Sequence, residues 1–174
     1  MMAAGVISLL AAVLLFYKWL LRRGITSRLS FLTALLFLLS GPMIYHSYNQ
    51  IMFVNYMPFL CLAFLGVDRY FEKQKAGLYT ISVFLMILTS FYFSIGGMFA
   101  LVLYVIYRYT EGKEKLGENI KILGFVSDGF RFLLPMLTAV LMSAVLLVPT
   151  AMALAGGREG GHKTALSALL IPEI

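Results

Sequence analysis

Four long runs without a charged residue alternate with short segments rich in lysine and arginine. The uncharged runs cover residues 1–17, 29–67, 76–107 and 132–157. A helix needs about 20 mainly apolar residues to cross a membrane, so each run predicts at least one membrane segment. The pattern predicts an all-α, polytopic membrane helix bundle, organised as one transmembrane domain of about six segments, at 1–21, 29–44, 51–67, 76–90, 91–107 and 132–153.

The run 29–67 is too long for one helix and is interrupted by helix-breaking and polar residues. Ser40-Gly41-Pro42 and the polar cluster 45–50 divide it, which predicts a hairpin with its tip outside. Pro58 comes early in the returning helix and is expected in the first turn, where proline is tolerated. Residues 51–57 would then form a partly irregular segment that is buried in protein.

The run 76–107 allows two interpretations, either one strongly tilted helix or two short helices that meet at 89–97. A single crossing would place the five basic residues of the next loop, 108–131, outside. The positive-inside rule therefore favours two helices. Within that loop, residues 113–125 have the apolar spacing of a helix on the membrane surface. The Gly-rich segment 154–174 is expected outside.

Lysine and arginine predict the orientation of the bundle. They concentrate at 18–28, 68–75 and 108–131, which the positive-inside rule places in the cytoplasm. The amino terminus is then outside. A cleavable signal peptide fits poorly, because its positive charges would precede the apolar stretch and here they follow it. The expected location is the cell membrane, with several crossings.

Composition excludes a water-soluble domain. The chain has 174 residues, of which 61% are hydrophobic and 13% are charged, and its mean hydropathy is +0.90. A typical soluble domain is about one quarter charged. The net charge of +6 does not indicate nucleic-acid binding, because the basic residues lie in short patches between apolar runs. Cys61 is the single cysteine, and no metal or cofactor motif is present.

Six strings in sequential order resemble the YfhO-type membrane proteins of bacteria. They extend over nearly the whole chain. The strings are Lys18–Gly24, Leu38–Gly41, Asn49-Gln50 followed by Asn55–Phe59, Gly66–Arg69, Ser90–Ser94, and Leu146–Ala151 leading to Gly157-Arg158.

The resemblance implies a GT-C type glycosyltransferase architecture. Such a protein would add sugars to cell-envelope polymers, such as lipoteichoic acid, from a polyprenyl-phosphate sugar on the outer face. The resemblance also implies an acid in the first outer loop, but residues 1–67 contain neither Asp nor Glu. We therefore expect an internal piece or a truncated member that is inactive alone. The expected partners are membrane lipids, the donor lipid and an envelope-polymer acceptor.

Candidate binding residues follow from their predicted place at the outer face. Arg158, with Lys163, is expected to hold the charge of the leaving phosphate. His46 lies between two tyrosines, where histidine is more often an interfacial anchor than a base. The remaining candidates, for contact with sugar or acceptor, are Asn49, Gln50 and Tyr92. No catalytic residue is assigned, since acids outside the predicted cytoplasmic loops are limited to Glu159 and Glu173.

Two other functions are compatible with a membrane bundle. In a transporter or permease subunit, broken helices at Pro42, Pro58 and 90–97 would flank a path near the membrane midplane. The absence of an ionisable residue from the predicted segments, apart from Lys18, argues against ion coupling. A non-catalytic membrane scaffold is the third interpretation.

Overall fold

Helices are the one kind of regular secondary structure in the part of the chain that is described. The structure is a computed structural model, and it describes residues 2–49, 51–115, 129–145, 148, 149 and 152. No strand occurs in these ranges, so the predicted all-α class is confirmed there. The helices are α1 (Met2–Arg22), α2 (Ser27–Leu38), α3 (Gly41–Asn49), α4 (Ile51–Lys73), α5 (Gly77–Thr89), α6 (Phe91–Lys115) and α7 (Gly129–Val145).

The chain divides into two compact units, Met1–Val140 and Leu141–Ile174. Helices α1 to α6 belong to the first unit, together with α7 as far as Val140. Most of the predicted surface helix 113–125 lies outside the described residues, and its first three positions continue α6. The predicted outer segment 154–174 also lies outside them.

Short polar breaks separate the helices within the two long apolar runs. After α2, the backbone is interrupted at Ser40, and Pro42 occupies the first turn of α3, where a missing N–H costs no helical hydrogen bond. Between α5 and α6, Ser90 is extended, with φ −158° and ψ 105°. The run 76–107 thus forms two helices and not one; that both cross the membrane stays a prediction.

Helix α4 is longer than the sequence analysis predicted. It begins at Ile51 and continues through Pro58 to Lys73, so the predicted irregular segment 51–57 is wrong. Neighbouring helices can satisfy the backbone groups that an internal proline leaves free. The predicted loop 68–75 is also helical as far as Lys73. The reason is that Asp68 is a buried, paired residue of the helix and not a solvated loop acid.

Helix α4 lies at the centre of the first unit and contacts α1, α3, α5 and α6. Its closest approach is to α5, where a Cβ on Gly66 would lie 2.8 Å from the Cα of Tyr79. Small residues of this kind let helix backbones pack closely in membranes. The apolar core of α4 and α5 includes Val54, Ala63, Val67, Tyr79, Val83, Met86 and Ile87.

Large apolar side chains also cover the outside of the bundle. Val6, Leu36 and Phe99 are each more than half exposed, as expected for helices that face lipid. Two described helices are long and apolar enough to cross a membrane, Gly5–Arg22 and Phe91–Lys113.

Candidate functional site

Helices α1, α4 and α6 end together at one end of the first unit. The carboxyl-terminal parts of these helices, with the residue that follows α1, carry Arg23, Asp68, Tyr104, Arg108 and Glu111, which we call the charged end. Trp19 of α1 packs edge-on against Tyr104 of α6, with ring centroids 5.5 Å apart. Because all three helices arrive at this end by their carboxyl termini, they run in the same direction.

The carboxylate of Asp68 is the centre of the charged end. Asp68 is only 1% exposed. The Tyr104 hydroxyl and the Arg108 Nε each donate a hydrogen bond of 2.7 Å to its Oδ1. The Trp19 Nε1 donates in turn to the Tyr104 hydroxyl, at 3.1 Å. The second oxygen, Oδ2, is buried and accepts a hydrogen bond from no described residue.

Two further contacts extend this network to α1. The Arg108 Nη1 donates to Glu111 Oε2 at 3.1 Å, and the Arg23 Nη2 donates to the same oxygen at 2.7 Å. Two arginines and two carboxylates therefore alternate, and their charges balance. Such a network favours one arrangement of the helix ends, since removing one partner leaves a buried charge uncompensated. The role of the network is structural, because it holds the ends of α1, α4 and α6 together.

A more exposed ion pair joins α1 to α4 beside the network. Arg22 donates to both carboxylate oxygens of Glu72, and the two side chains are 34% and 44% exposed. The hydrogen bond from Arg22 holds the pKa of Glu72 below its ordinary value. Solvent screening limits what such an exposed pair contributes to stability.

The opposite end of α4 and α6 is built from aromatic rings. The Phe53 and Phe93 centroids lie 5.0 Å apart, and those of Tyr92 and Phe93 lie 5.3 Å apart. Gly97 makes room for Tyr56, since a Cβ there would lie 2.5 Å from the Tyr56 hydroxyl oxygen. We call these five residues the aromatic end. Tyr92 is 79% exposed, so its ring lies on the surface of the bundle.

One buried polar atom lies close to the aromatic end in sequence. Asn55 of α4 has a buried side-chain oxygen, Oδ1, that accepts no hydrogen bond from the described residues. A buried amide oxygen without a donor is costly in an apolar environment. The exposed ring of Tyr92 and this amide oxygen, which belongs to the residue before Tyr56, are described groups that could contact a ligand.

The structure describes three of the predicted binding residues by position. Tyr92 lies in the first turn of α6, at the aromatic end. His46 and Asn49 lie in α3, which immediately precedes the aromatic end of α4. The other three, Gln50, Arg158 and Lys163, lie outside the described residues. The grouping of these six residues into one site stays a prediction.

The sequence analysis missed the network at the charged end. It placed Asp68 and Arg108 in loops, whereas both belong to helices and pair with each other. A usable signal was present, because Trp19 and Arg23 are four residues apart, as are Tyr104 and Arg108. Residues at this spacing share one helix face. Pairing these faces requires knowledge of which helices are neighbours.

No metal site emerges from the part of the chain that is described. Within it, no three His, Cys, Asp or Glu side chains come together. The acids whose side chains are described are Asp68, Glu72 and Glu111, and each is engaged by an arginine. A polar arrangement for general base chemistry is therefore absent from the described aromatic end.

Comparison with known families decides the family of the chain. The family model described as bacterial membrane protein YfhO matches residues 2–169. This chain belongs to the YfhO family. The membership confirms the predicted resemblance and assigns a bacterial membrane protein. No curated protein and no solved structure shows a significant match.

Proposed function

We propose that this YfhO-family protein is the membrane part of a GT-C type glycosyltransferase. It would act on the outer face, where sugar passes from a polyprenyl-phosphate donor to a cell-envelope polymer such as lipoteichoic acid. The match of the family over residues 2–169 carries this proposal. The sequence features that imply the chemistry are the ordered strings that resemble YfhO-type proteins.

The proposed orientation follows from the distribution of charge. Arginines and acids of α1, α4 and α6 lie together at the charged end. The positive-inside rule assigns such an end to the cytoplasm. In the proposal the chain crosses the membrane six times with its amino terminus outside. The aromatic end, including the exposed Tyr92, then faces the outer leaflet, where a lipid-linked sugar is presented.

The residues at the two ends indicate which part of the reaction this chain would serve. Glycosyl transfer requires attack of an acceptor hydroxyl on the anomeric carbon, with polyprenyl phosphate leaving, and a carboxylate commonly removes the proton. The carboxylates whose side chains are described lie at the charged end or, for Glu72, beside it, and each pairs with an arginine. This chain would supply the binding groove, with Asn49, Gln50, Tyr92 and His46 toward sugar or acceptor.

Arg158 and Lys163 are the proposed partners of the donor phosphate. A guanidinium can grip a phosphate with two parallel hydrogen bonds, whereas an ammonium acts as a point charge. Arg158→Lys should therefore weaken binding of polyprenyl phosphate, and Arg158→Ala should weaken it further, by about 1–3 kcal/mol. Affinities measured in nanodiscs, with neutral polyprenol as control, test this assignment. Equal affinities of all three proteins would contradict it.

Activity of the purified chain provides the test of the whole proposal. The protein is incubated with a polyprenyl-phosphate sugar and a polyol-phosphate acceptor. We expect saturable binding of the donor without product. Turnover that disappears in Glu159→Gln would show that the chain carries its own catalytic carboxylate. Absence of donor binding would remove the support for a transferase.

A further inference from the structure

A basic pocket opens near the charged end, between α4, α6 and α7. Its volume is about 250 Å³, and its lining includes three cationic side chains, Arg108, Lys113 and Arg131. No acidic residue occurs among its described lining residues. Aromatic rings form the rest of its wall, from Phe71, Tyr109 and Phe132 among others.

Ring contacts hold two of the cations along the pocket wall. The Arg108 guanidinium carbon lies 5.7 Å from the centroid of the Phe71 ring, and the Lys113 Nζ lies 6.0 Å from that of Tyr109. Arg108 is also fixed by Asp68 and Glu111. Arg131, on the first described turn of α7, is exposed. The pocket therefore combines an arginine that is fixed by two carboxylates with two further basic side chains, Lys113 and Arg131.

A second pocket adjoins the first and is apolar. Its volume is about 190 Å³, and it is lined by residues of α5, α6 and α7, including Tyr79, Val102, Val105 and Leu133. Phe132 lines both pockets. Its ring stacks on Phe71, with centroids 4.2 Å apart, and is nearly buried. Phe132 is thus a fixed partition between a cationic space and an apolar space.

We propose that these two pockets together bind an anionic membrane phospholipid. Its phosphate would occupy the basic pocket, and the first part of an acyl chain would lie in the apolar pocket. Basic pockets between membrane helices are suited to anionic headgroups, and arginine is suited to phosphate. The adjoining apolar space favours a lipid over a soluble phosphate, which has no group to place there. This inference is independent of the proposed transferase function.

The preference for an anionic headgroup is tested on the full chain purified in detergent. Native mass spectrometry counts the lipids retained from an equimolar mixture of phosphatidylglycerol and phosphatidylcholine with identical acyl chains. We expect the wild type to retain phosphatidylglycerol preferentially. Equal retention of the two lipids by the wild type would overturn the proposal, whatever the variants do.

Two arginine variants distinguish lipid binding in the pocket from general attraction of an anionic lipid to a basic surface. Arg131→Gln should weaken phosphatidylglycerol binding about fivefold, as expected for one basic group near an anionic headgroup. Arg69→Gln is the matched control, because Arg69 is exposed on α4 and does not line the pocket. Equal losses in both variants would reduce the effect to surface charge and contradict the proposal.

Two further experiments test whether the acyl chain lies in the apolar pocket. Val102→Phe should narrow the apolar pocket and weaken lipid binding several-fold, whereas Leu103→Phe should not, since Leu103 is 52% exposed and lines neither pocket. Unchanged binding in Val102→Phe would overturn the placement of the chain. Glycerol 3-phosphate at the lipid concentration should not displace phosphatidylglycerol. Full displacement would indicate a site for soluble phosphate and contradict a lipid site.

Discussion

At the charged end, α4 and α6 are joined by a carboxylate that receives two hydrogen bonds, whereas at the aromatic end the same two helices meet through rings. Asp68 and Phe53 are separated by four turns of α4, about 22 Å at 1.5 Å per residue. The charged end places Asp68 Oδ1 2.7 Å from Arg108 Nε. The aromatic end places the Phe53 and Phe93 centroids 5.0 Å apart.

The difference lies in how strictly each end fixes its neighbours. Hydrogen bonds to a buried carboxylate depend on distance and direction, so the charged end permits one arrangement of α1, α4 and α6. Ring contacts tolerate more variation in angle, and Tyr92 stays exposed at the surface. In the proposed function, the more adaptable aromatic end is the one that contacts the lipid-linked sugar.

Removing the central carboxylate should have the largest effect. Asp68→Ala leaves Arg108 and Tyr104 without their acceptor, so we expect the free energy of unfolding to fall by about 3 kcal/mol. Unfolding followed in detergent micelles measures this loss. Glu72→Ala is the control and should cost under about 1 kcal/mol, because its ion pair is exposed. Similar losses in both variants would show that the charged end is not specially rigid.

Obstructing the close contact between α4 and α5 at Gly66 should have the next largest effect on stability. A Cβ on Gly66 would lie 2.8 Å from the backbone of Tyr79, which cannot rotate away. We expect Gly66→Ala to lower the free energy of unfolding by about 2 kcal/mol. Gly96→Ala meets nothing within 4 Å and should be neutral or slightly stabilising, since alanine favours helix. The same detergent unfolding assay compares them.

The sequence predicted the helix breaks better than the helix partners. Ser90 lies in a polar interruption of an apolar run, and the positive-inside rule favoured a turn there. Asp68 was misplaced because a string of charged residues resembles a solvated loop, and burial of its carboxylate depends on Arg108, 40 residues later in the chain. The hydrogen bond between Trp19 and Tyr104 spans 85 residues. Neither pairing can be read from local periodicity.

Tyr92 offers a test of ligand binding at the aromatic end. Tyr92→Ala should weaken binding of a polyprenyl-phosphate sugar about fivefold, corresponding to about 1 kcal/mol for one aromatic contact. Its effect on unfolding should be within about 0.5 kcal/mol, because the side chain is 79% exposed. Phe99→Ala, on the same helix and 66% exposed, is the control. Equal affinities of the two variants would remove Tyr92 from the proposed groove.

The exposed pair of Arg22 and Glu72 should give the smallest effect. Because the pKa of Glu72 is lowered in the folded protein, its contribution is present above the unfolded pKa and is lost as pH falls through the folded pKa. Melting temperatures of wild type and Glu72→Gln, measured from neutral to acidic pH, should therefore converge at low pH. A difference that grows on acidification would contradict this sign.

The proposed location of the two ends on opposite sides of the membrane is tested most directly by single-cysteine labelling. In a Cys61→Ser background, Tyr92→Cys and Lys113→Cys are treated with an impermeant maleimide, first in intact cells and then after permeabilisation. Position 92 should be labelled in intact cells, and position 113 only after permeabilisation. Labelling of position 113 in intact cells would contradict a cytoplasmic charged end and, with it, the proposed division between the two ends.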